Sequence, residues 1–424
     1  MLDVVVTAEE PLALGVSPES GNVIDSWAYV PGSVLRGALA AAWIASHGPP
    51  PVTPAAERDQ FLRLFEGEIR YGPLLADKTR IEPLSVRRCK YQPQRACWDT
   101  SDDLAADKPG RVALVSCPVC GGPLAPGKGA VVGMRLEEVT RTALEPDETA
   151  KDGNLFSRRQ ISARTTLRGL IVGDDAWFDE APECVWLGGR RSTGGRARLS
   201  VRRATPAAVE PREDGKILLR LEAPGIFVDS ATRPSLEPPL HELSEVLDTQ
   251  LKIDRRWARP VVVRGWHAAS GLPKPADHAL AAGSTFLLTA APALSADGLG
   301  LLARRGVGLR RAEGFGHVAV NPPPWTPPER AAMAEERSRA HSLVAPLLGS
   351  GQAGRLRPWL LPHLKALAEA RELDQPASAA SILDERRLRG LAPSVVEAVR
   401  ELLALLEPDL LRDVIVLLED PTWS

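Results

Sequence analysis

The run NPPPWTPP at 321–328 places five prolines in eight residues. No helix or sheet interior accepts that density, because each proline removes a backbone donor and fixes φ. The run therefore reads as a linker. Before it, β-branched and apolar runs alternate with glycine-rich turns. After it, residues 331–418 are rich in alanine and leucine with helical periodicity, clearest at 362–373 and 393–406. This division predicts an α+β body followed by a helical domain over 323–424. A chain of 424 residues exceeds one comfortable core, and its 44% hydrophobic content is that of a globular protein. No apolar run approaches the roughly 20 residues that span a bilayer. The N-terminus, MLDVVVTAEE, begins like a strand without a basic region and apolar core. A cytoplasmic protein with no membrane partner is the expectation.

Within the body, residues 2–7 read as a strand and 15–25 as turn-rich chain. Pro31-Gly32-Ser33 opens a helix predicted over 34–46 with Ser33 as N-cap, and a second helix is predicted over 55–65. Strand-like segments follow at 159–172, 184–187 and 197–201. After a loop at 203–215 they resume at 216–228, 260–265, 284–290 and 307–320. Each half begins with a strand and ends in a glycine-rich, arginine-bearing loop. That pattern predicts a duplicated α+β unit, divided as 1–203 and 204–322.

Residues 86–130 read as an insertion in the first half, and they hold four of the five cysteines. Cys117-Pro118-Val119-Cys120, followed by Gly121-Gly122, has the form of a zinc knuckle. With Cys89 and Cys97 it would complete a four-thiolate structural zinc site, although seven residues separate the first pair. A cytosolic redox pair or unconnected thiols are the alternatives, disulfides being rare in a reducing compartment. Cys184, in an apolar strand, reads as core. Around the ribbon lie Arg87, Arg88, Lys90, Tyr91, Arg95 and Trp98, a mix suited either to nucleic acid or to a solvated loop.

The formal net charge is only −2, yet the positive charge is segregated. Residues 155–170 contain Arg158, Arg159, Arg164 and Arg168 and no acid; residues 186–203 contain six arginines and no acid. A local basic surface on a neutral chain fits one defined RNA segment better than indiscriminate polyanion binding. Within the second stretch, Leu187-Gly188-Gly189-Arg190-Arg191-Ser192-Thr193-Gly194-Gly195-Arg196 offers backbone N–H groups and guanidinium forks to phosphate. It lacks the Gly-Lys-Ser/Thr ending of a Walker loop and the acid of a dinucleotide fold. A related loop spans 306–317 and carries Arg310, Arg311, Gly314 and Gly316.

The segment YVPGSVLRGAL at 29–39, which includes Arg36, resembles the motif opening the first helix of RAMP proteins, RNA-binding subunits of CRISPR effectors. The loop 188–196 resembles the glycine-rich loop of that family. Gly265-Trp266, Gly271 to Lys274, Ala282 to Ser284 and Gly314-Phe315-Gly316 are similar to the second half of its two-domain members. The resemblance covers about residues 1–322. It implies two ferredoxin-like (RRM-like) units with an inserted zinc ribbon, and the ribbon and length look most like the subtype III-D member. The implied role is to hold the repeat-derived 5′ handle of the crRNA, and through it target RNA, beside the large polymerase-like subunit and the backbone RAMP subunits. A hairpin over 156–170 would act as a thumb. RNA contact would fall to Arg36, Arg158, Arg159, Arg164, Arg168, Gly188, Gly189, Arg190, Arg191, Gly194, Gly195, Arg196, Arg310, Arg311, Gly314 and Gly316. No catalytic residue is assigned. A RAMP endoribonuclease, with Asp25, His47 or His317 as the residues to test, and a zinc-ribbon nucleic-acid adaptor are the other readings.

Overall fold

Along β1 (Leu2–Ala8) every second side chain is buried, which is how a strand with one core face must read. This computed structural model describes residues 1–15, 23–77, 79–90, 97, 100–106, 113–134, 136–144, 150–188, 194–267, 271–327, 340, 342–347, 353–372, 388–404 and 408–419. The chain forms two units, residues 1–328 and 329–424.

After β1 come β2 (Val23–Ile24), α1 (Gly32–His47), α2 (Ala56–Phe65), β3 (Arg70–Tyr71), β4 (Leu75–Ala76) and β5 (Arg80–Ile81). Next are β6 (Val86–Cys89), β7 (Ser101–Asp103), β8 (Leu124–Pro126) and β9 (Val131–Val132). The hairpin strands β10 (Glu137–Leu144) and β11 (Ala150–Gln160) precede β12 (Thr166–Val172), β13 (Cys184–Trp186) and β14 (Arg196–Arg203). The later part contains β15 (Lys216–Leu221), α3 (Leu240–Leu247), β16 (Gln250–Trp257), β17 (Pro260–His267), β18 (Leu272–Leu280), β19 (Thr285–Ala291), α4 (Ala296–Arg305) and β20 (Val318–Val320).

One strand order occurs twice. The first large sheet runs β13-β14-β1-β12-β3, with β4 also on β12; the second runs β16-β19-β15-β20. In both, the strand that opens the half lies between the third and fourth of its four main strands. A helix follows the first of those strands in each half. After the third, the second half has α4, whereas the first has only a short 3-10 turn at Ala176–Glu180. Trp43, Leu39, Phe65 and Tyr71 fill the first core; Phe227, Phe286, Leu288 and Leu302 fill the second.

Several elements differ from their sequence expectation. α1 begins at Gly32, with Pro31 rather than Ser33 at the N-cap and no side chain capping it. Residues 159–172 are two strands, parted by a turn in which Arg164 takes φ +66°. The hairpin is therefore β10–β11, which pairs with β2, not 156–170, and β12 belongs to the interior of the large sheet. The strand from 216 ends at Leu221, where Pro224-Gly225 interrupts it. The stretch 307–320 keeps only β20 as strand. The polar edge strand β16 and the proline-bearing β18 had no apolar alternation strong enough to announce them.

The second unit contains α5 (Ala353–Glu372), α6 (Pro393–Leu403) and α7 (Pro408–Glu419), joined through Leu360, Leu364, Val399, Leu402, Leu411 and Val414. α5 starts well before Pro362 and runs through Pro358 and Pro362. Among the described residues, no helix is long and apolar enough to cross a membrane.

Candidate metal centre and nucleic-acid interface

β6 pairs with β7 and β8 in a three-stranded ribbon, and Cys89 ends its central strand. Cys117 and Cys120 lie in a tight turn closed by bonds from Cys117 N to the Gly122 carbonyl (2.8 Å) and from Gly121 N to the Cys117 carbonyl (2.8 Å). Gly121 supplies the φ of +71° this turn needs. The Sγ atoms of Cys89, Cys97, Cys117 and Cys120 all lie within 4.8 Å of one another, Cys89 and Cys120 being 3.6 Å apart. None is in a disulfide. A tetrahedral zinc with Zn–S bonds of about 2.3 Å needs sulfurs about 3.8 Å apart, so this donor set fits the ion. Burial disfavours the Cys117 thiolate, but N–H groups of Cys120 and Val119 and the Thr100 hydroxyl outweigh it and bring the thiol down to about 6. The Gly122 N–H, 3.4 Å from the Cys120 sulfur, makes the backbone donation expected at a knuckle.

The ribbon is docked onto the second sheet. Asp103 accepts from Ser85 Oγ (2.7 Å), Arg220 Nη2 (2.8 Å), Ala105 N (3.2 Å) and Trp325 N (3.1 Å). Its side chain is 3% exposed and that of Arg220 8%. Beside them Ala105, Leu218, Leu287 and Trp257 form a small apolar cluster. β15 is thus covered on both faces, which explains why KILLRL is buried from Ile217 onward. Arg87 and Arg88 face inward instead of presenting a nucleic-acid surface. Arg87 holds Asp102 (2.6 Å) and the Leu114 carbonyl (2.7 Å), while Arg88 holds Glu82 (3.4 Å). Tyr91, Arg95 and Trp98 lie outside the described residues.

The glycine-rich loop after β13 packs on the chain that follows β1. Gly188 and Gly195 have φ of +89° and +100°, and a Cβ on them would lie 2.6 Å from the Ala13 carbonyl oxygen and 2.7 Å from that of Leu187. Gly194 sits in the same turn; Gly189, Arg190 and Arg191 lie outside the described residues. The later loop seats Gly314 against α1, where a Cβ on Gly32 would fall 1.8 Å from the Tyr71 carbonyl oxygen and 3.0 Å from the Gly314 Cα. The helix-opening motif and the second glycine loop are therefore two sides of one backbone-to-backbone joint.

The candidate arginines separate into two groups. Arg36, its side chain 12% exposed, bonds the Phe65 carbonyl and Glu66 and approaches Glu313 at 3.9 Å. Arg310 holds Glu313 and Asp277. Both are internal braces, and Arg158 is buried. Arg159, Arg168 and Arg196 are roughly half exposed and pair with Glu138, Asp77 and Glu9. Exposed pairs of this kind are worth about 0–1 kcal/mol and exchange readily for phosphate. Arg164 is exposed on its turn. Of the alternative acid–base residues, Asp25 lies 3.7 Å from Arg159, His47 stacks on Trp43 at the end of α1, and His317 lies 3.5 Å from Glu222.

Glu313 joins these parts. Burial alone would raise its carboxyl, but bonds from Arg310 and Lys274 lower it from 4.5 to about 2. With the folded value below the unfolded one, its contribution is complete above the unfolded value and is lost as pH falls towards the folded one. Glu313→Gln is expected to cost about 3 kcal/mol at neutral pH. Urea titrations should show the gap from wild type shrinking as pH falls below about 4.5 and nearly gone at about pH 2, and a gap independent of pH would refute this account.

Sequence reasoning passed over Arg70, Arg304 and Arg305. With Arg311 they line a cleft of about 630 Å³ whose other walls are Glu68, Val172, Gly173, Val246 and Leu301. These arginines come from distant segments, so only folding brings them together.

Residues 125–322 match the family model of CRISPR-associated protein (Cas_Cmr3). No curated protein matches the chain. Among solved structures, it is similar to a chain in the type III-B Cmr-beta complex bound to cognate target RNA and AMPPnP. That chain is 13% identical with a TM-score of 0.40, the match covering 67% of this chain and 86% of that one. It is also similar to CRISPR associated protein Cas6, at 9% identity and a TM-score of 0.32, covering 75% and 97% of the two chains. A chain of a type IV-B CRISPR complex matches at 14% identity and a TM-score of 0.26, over 50% and 94%. Residues 125–322, a little under half of the chain, are thus similar to the Cas_Cmr3 family of CRISPR-associated proteins.

Proposed function

We propose that the chain is a crRNA-binding structural subunit of a type III CRISPR effector complex, holding the repeat-derived 5′ handle rather than cutting RNA. The observation that carries this reading is the Cas_Cmr3 match, because residues 125–322 include the β10–β11 hairpin and both glycine-rich loops. The recurring strand order supports two ferredoxin-like units, 1–203 and 204–322, with the ribbon inserted in the first and the helical domain after the second. The ribbon supports the III-D version of the subunit, with a structural zinc on its four cysteines.

RNA phosphates would meet the loop 188–196 through backbone N–H groups and Arg190, Arg191 and Arg196, with Arg159, Arg164 and Arg168 alongside. Arg36 and Arg310 would act as braces beneath. The guide strand would lead to target RNA, and protein neighbours would be the large polymerase-like subunit and the backbone RAMP subunits. Substituting Arg190, Arg191 and Arg196 with alanine is expected to weaken guide binding and flatten its salt slope by about 2, at roughly 0.7 per single-strand phosphate. An unchanged slope would remove this loop from the interface.

The test of the whole reading is to co-express the protein with a CRISPR array and sequence the RNA that accompanies it. Guides sharing one repeat-derived 5′ end are expected. Random RNA would overturn handle binding, and array transcripts matured by the purified protein would put the endoribonuclease first.

A further inference from the structure

We infer that the cleft between β3, the end of β12, α3 and α4 is a phosphate-binding site sized for one nucleotide unit, with Arg305 and Arg311 as its phosphate ligands. The inference rests on the function proposed above only for the source of the nucleotide.

Arg70, Arg304, Arg305 and Arg311 line the cleft with one carboxylate, that of Glu68, while Glu242 of α3 offsets part of the charge on Arg311. Two of the five groups are already engaged with each other. Arg70 bonds Glu68 at 3.3 Å and also bonds the Arg304 carbonyl at the C-terminus of α4. Arg304 and Arg305 occupy the last turn of α4, where cations favour the helix dipole. That accounts for one positive charge there, not for four converging ones. Among the described residues, neither Arg305 nor Arg311 forms an ion pair, whereas the adjacent Arg310 holds two carboxylates. Burial and then the charge of Arg305 hold Arg311 below the usual arginine range; burial and then Arg311 do the same to Arg70. The guanidinium groups thus repel one another in a half-buried place, and an anion between them would remove that penalty.

The remaining wall carries Val172, Val246 and Leu301. Val172 is the cross-strand partner of Arg70, and Leu301 lies one turn before Arg304 and Arg305. Aliphatic and cationic side chains thus alternate, which suits an amphipathic ligand whose anion sits on the arginines and whose ring or sugar covers the aliphatic groups. A volume of 630 Å³ is ample for a nucleotide and far more than a bare phosphate needs.

The experiment compares the full-length wild type with R305A/R311A, using a short oligouridylate and, separately, AMP. Both arginines lie at the cleft surface and make no ion pair, so the double variant should melt at or slightly above the wild-type temperature. A role in holding the fold would lower it. Oligouridylate affinity is expected to fall by about tenfold to a hundredfold, with a salt slope flatter by about 0.7 or more. Loss of oligouridylate binding without any AMP binding identifies a strand phosphate. AMP binding that is abolished by R305A/R311A identifies a free nucleotide, and would stand even if guide RNA failed to co-purify. The proposal is overturned if wild type binds neither probe, or if the variant binds both as wild type does.

Discussion

Replacing Cys117 and Cys120 together with serine will abolish metal binding and unfold the ribbon. The wild-type chain should purify with one zinc, read by elemental analysis, because its four sulfurs already lie within 4.8 Å of one another. Among the described residues, the apolar cluster at the cysteine end of the ribbon is the cysteines themselves with Leu124 beside them, so without an ion that end relies on the docking through Asp103 at the other. Structural zinc contributes about 10–16 kcal/mol in isolated finger peptides, comparable with the whole net stability of a domain, about 5–15 kcal/mol. The double serine variant should therefore be far more sensitive to protease within 86–130, and strong chelators should reproduce that sensitivity in the wild type. A metal-free wild-type protein whose ribbon resists protease as well with serines as with cysteines would dismiss the metal centre.

Asp103→Ala should cost about 3–5 kcal/mol, the usual result of leaving one member of a buried ion pair alone. Arg220 remains buried, and burial already holds its guanidinium below the usual range despite the compensating charge of Asp103. The substitution also leaves Ser85 and the backbone donors of Ala105 and Trp325 without their acceptor. Adding Arg220→Met should restore part of the loss, since the stranded charge disappears while the donors stay unmatched. Equilibrium denaturation of the wild type, both single variants and the pair tests this ordering. Strict additivity would mean that Asp103 and Arg220 do not act on each other.

What could be read in advance was whatever is encoded locally. The four cysteines converge because knuckle spacing and turn glycines specify their own geometry, and the helix after Pro31-Gly32-Ser33 follows from composition. The β10–β11 hairpin was misplaced because EEVTRTAL and AKDGNLFSRRQ scatter a few apolar residues among charged and polar ones and so show no regular apolar alternation. Likewise, nothing in the spelling of an arginine tells which carboxylate it will meet. Arg36 and Arg310 turned inward to Glu66, Glu313 and Asp277, while Arg70, Arg304, Arg305 and Arg311 met across more than 200 residues of chain. The docking of the ribbon through Asp103 onto β15 was equally invisible, since Arg220 looks like an ordinary exposed charge in KILLRL.

The joint between Gly32 and Gly314 bears on how the protein is made. The start of α1 leaves the ribosome early, yet the surface that closes over it is synthesised near the end of the first unit. Until then, Arg36 lacks the approach of Glu313, and the Tyr71 carbonyl faces no glycine from the later loop. Domains usually settle in order during synthesis, but contacts of such long sequence separation delay closure and lengthen the exposure of unfinished edges. The two halves share one fate during translation: a nascent chain arrested between them would present an open seam to chaperones and proteases.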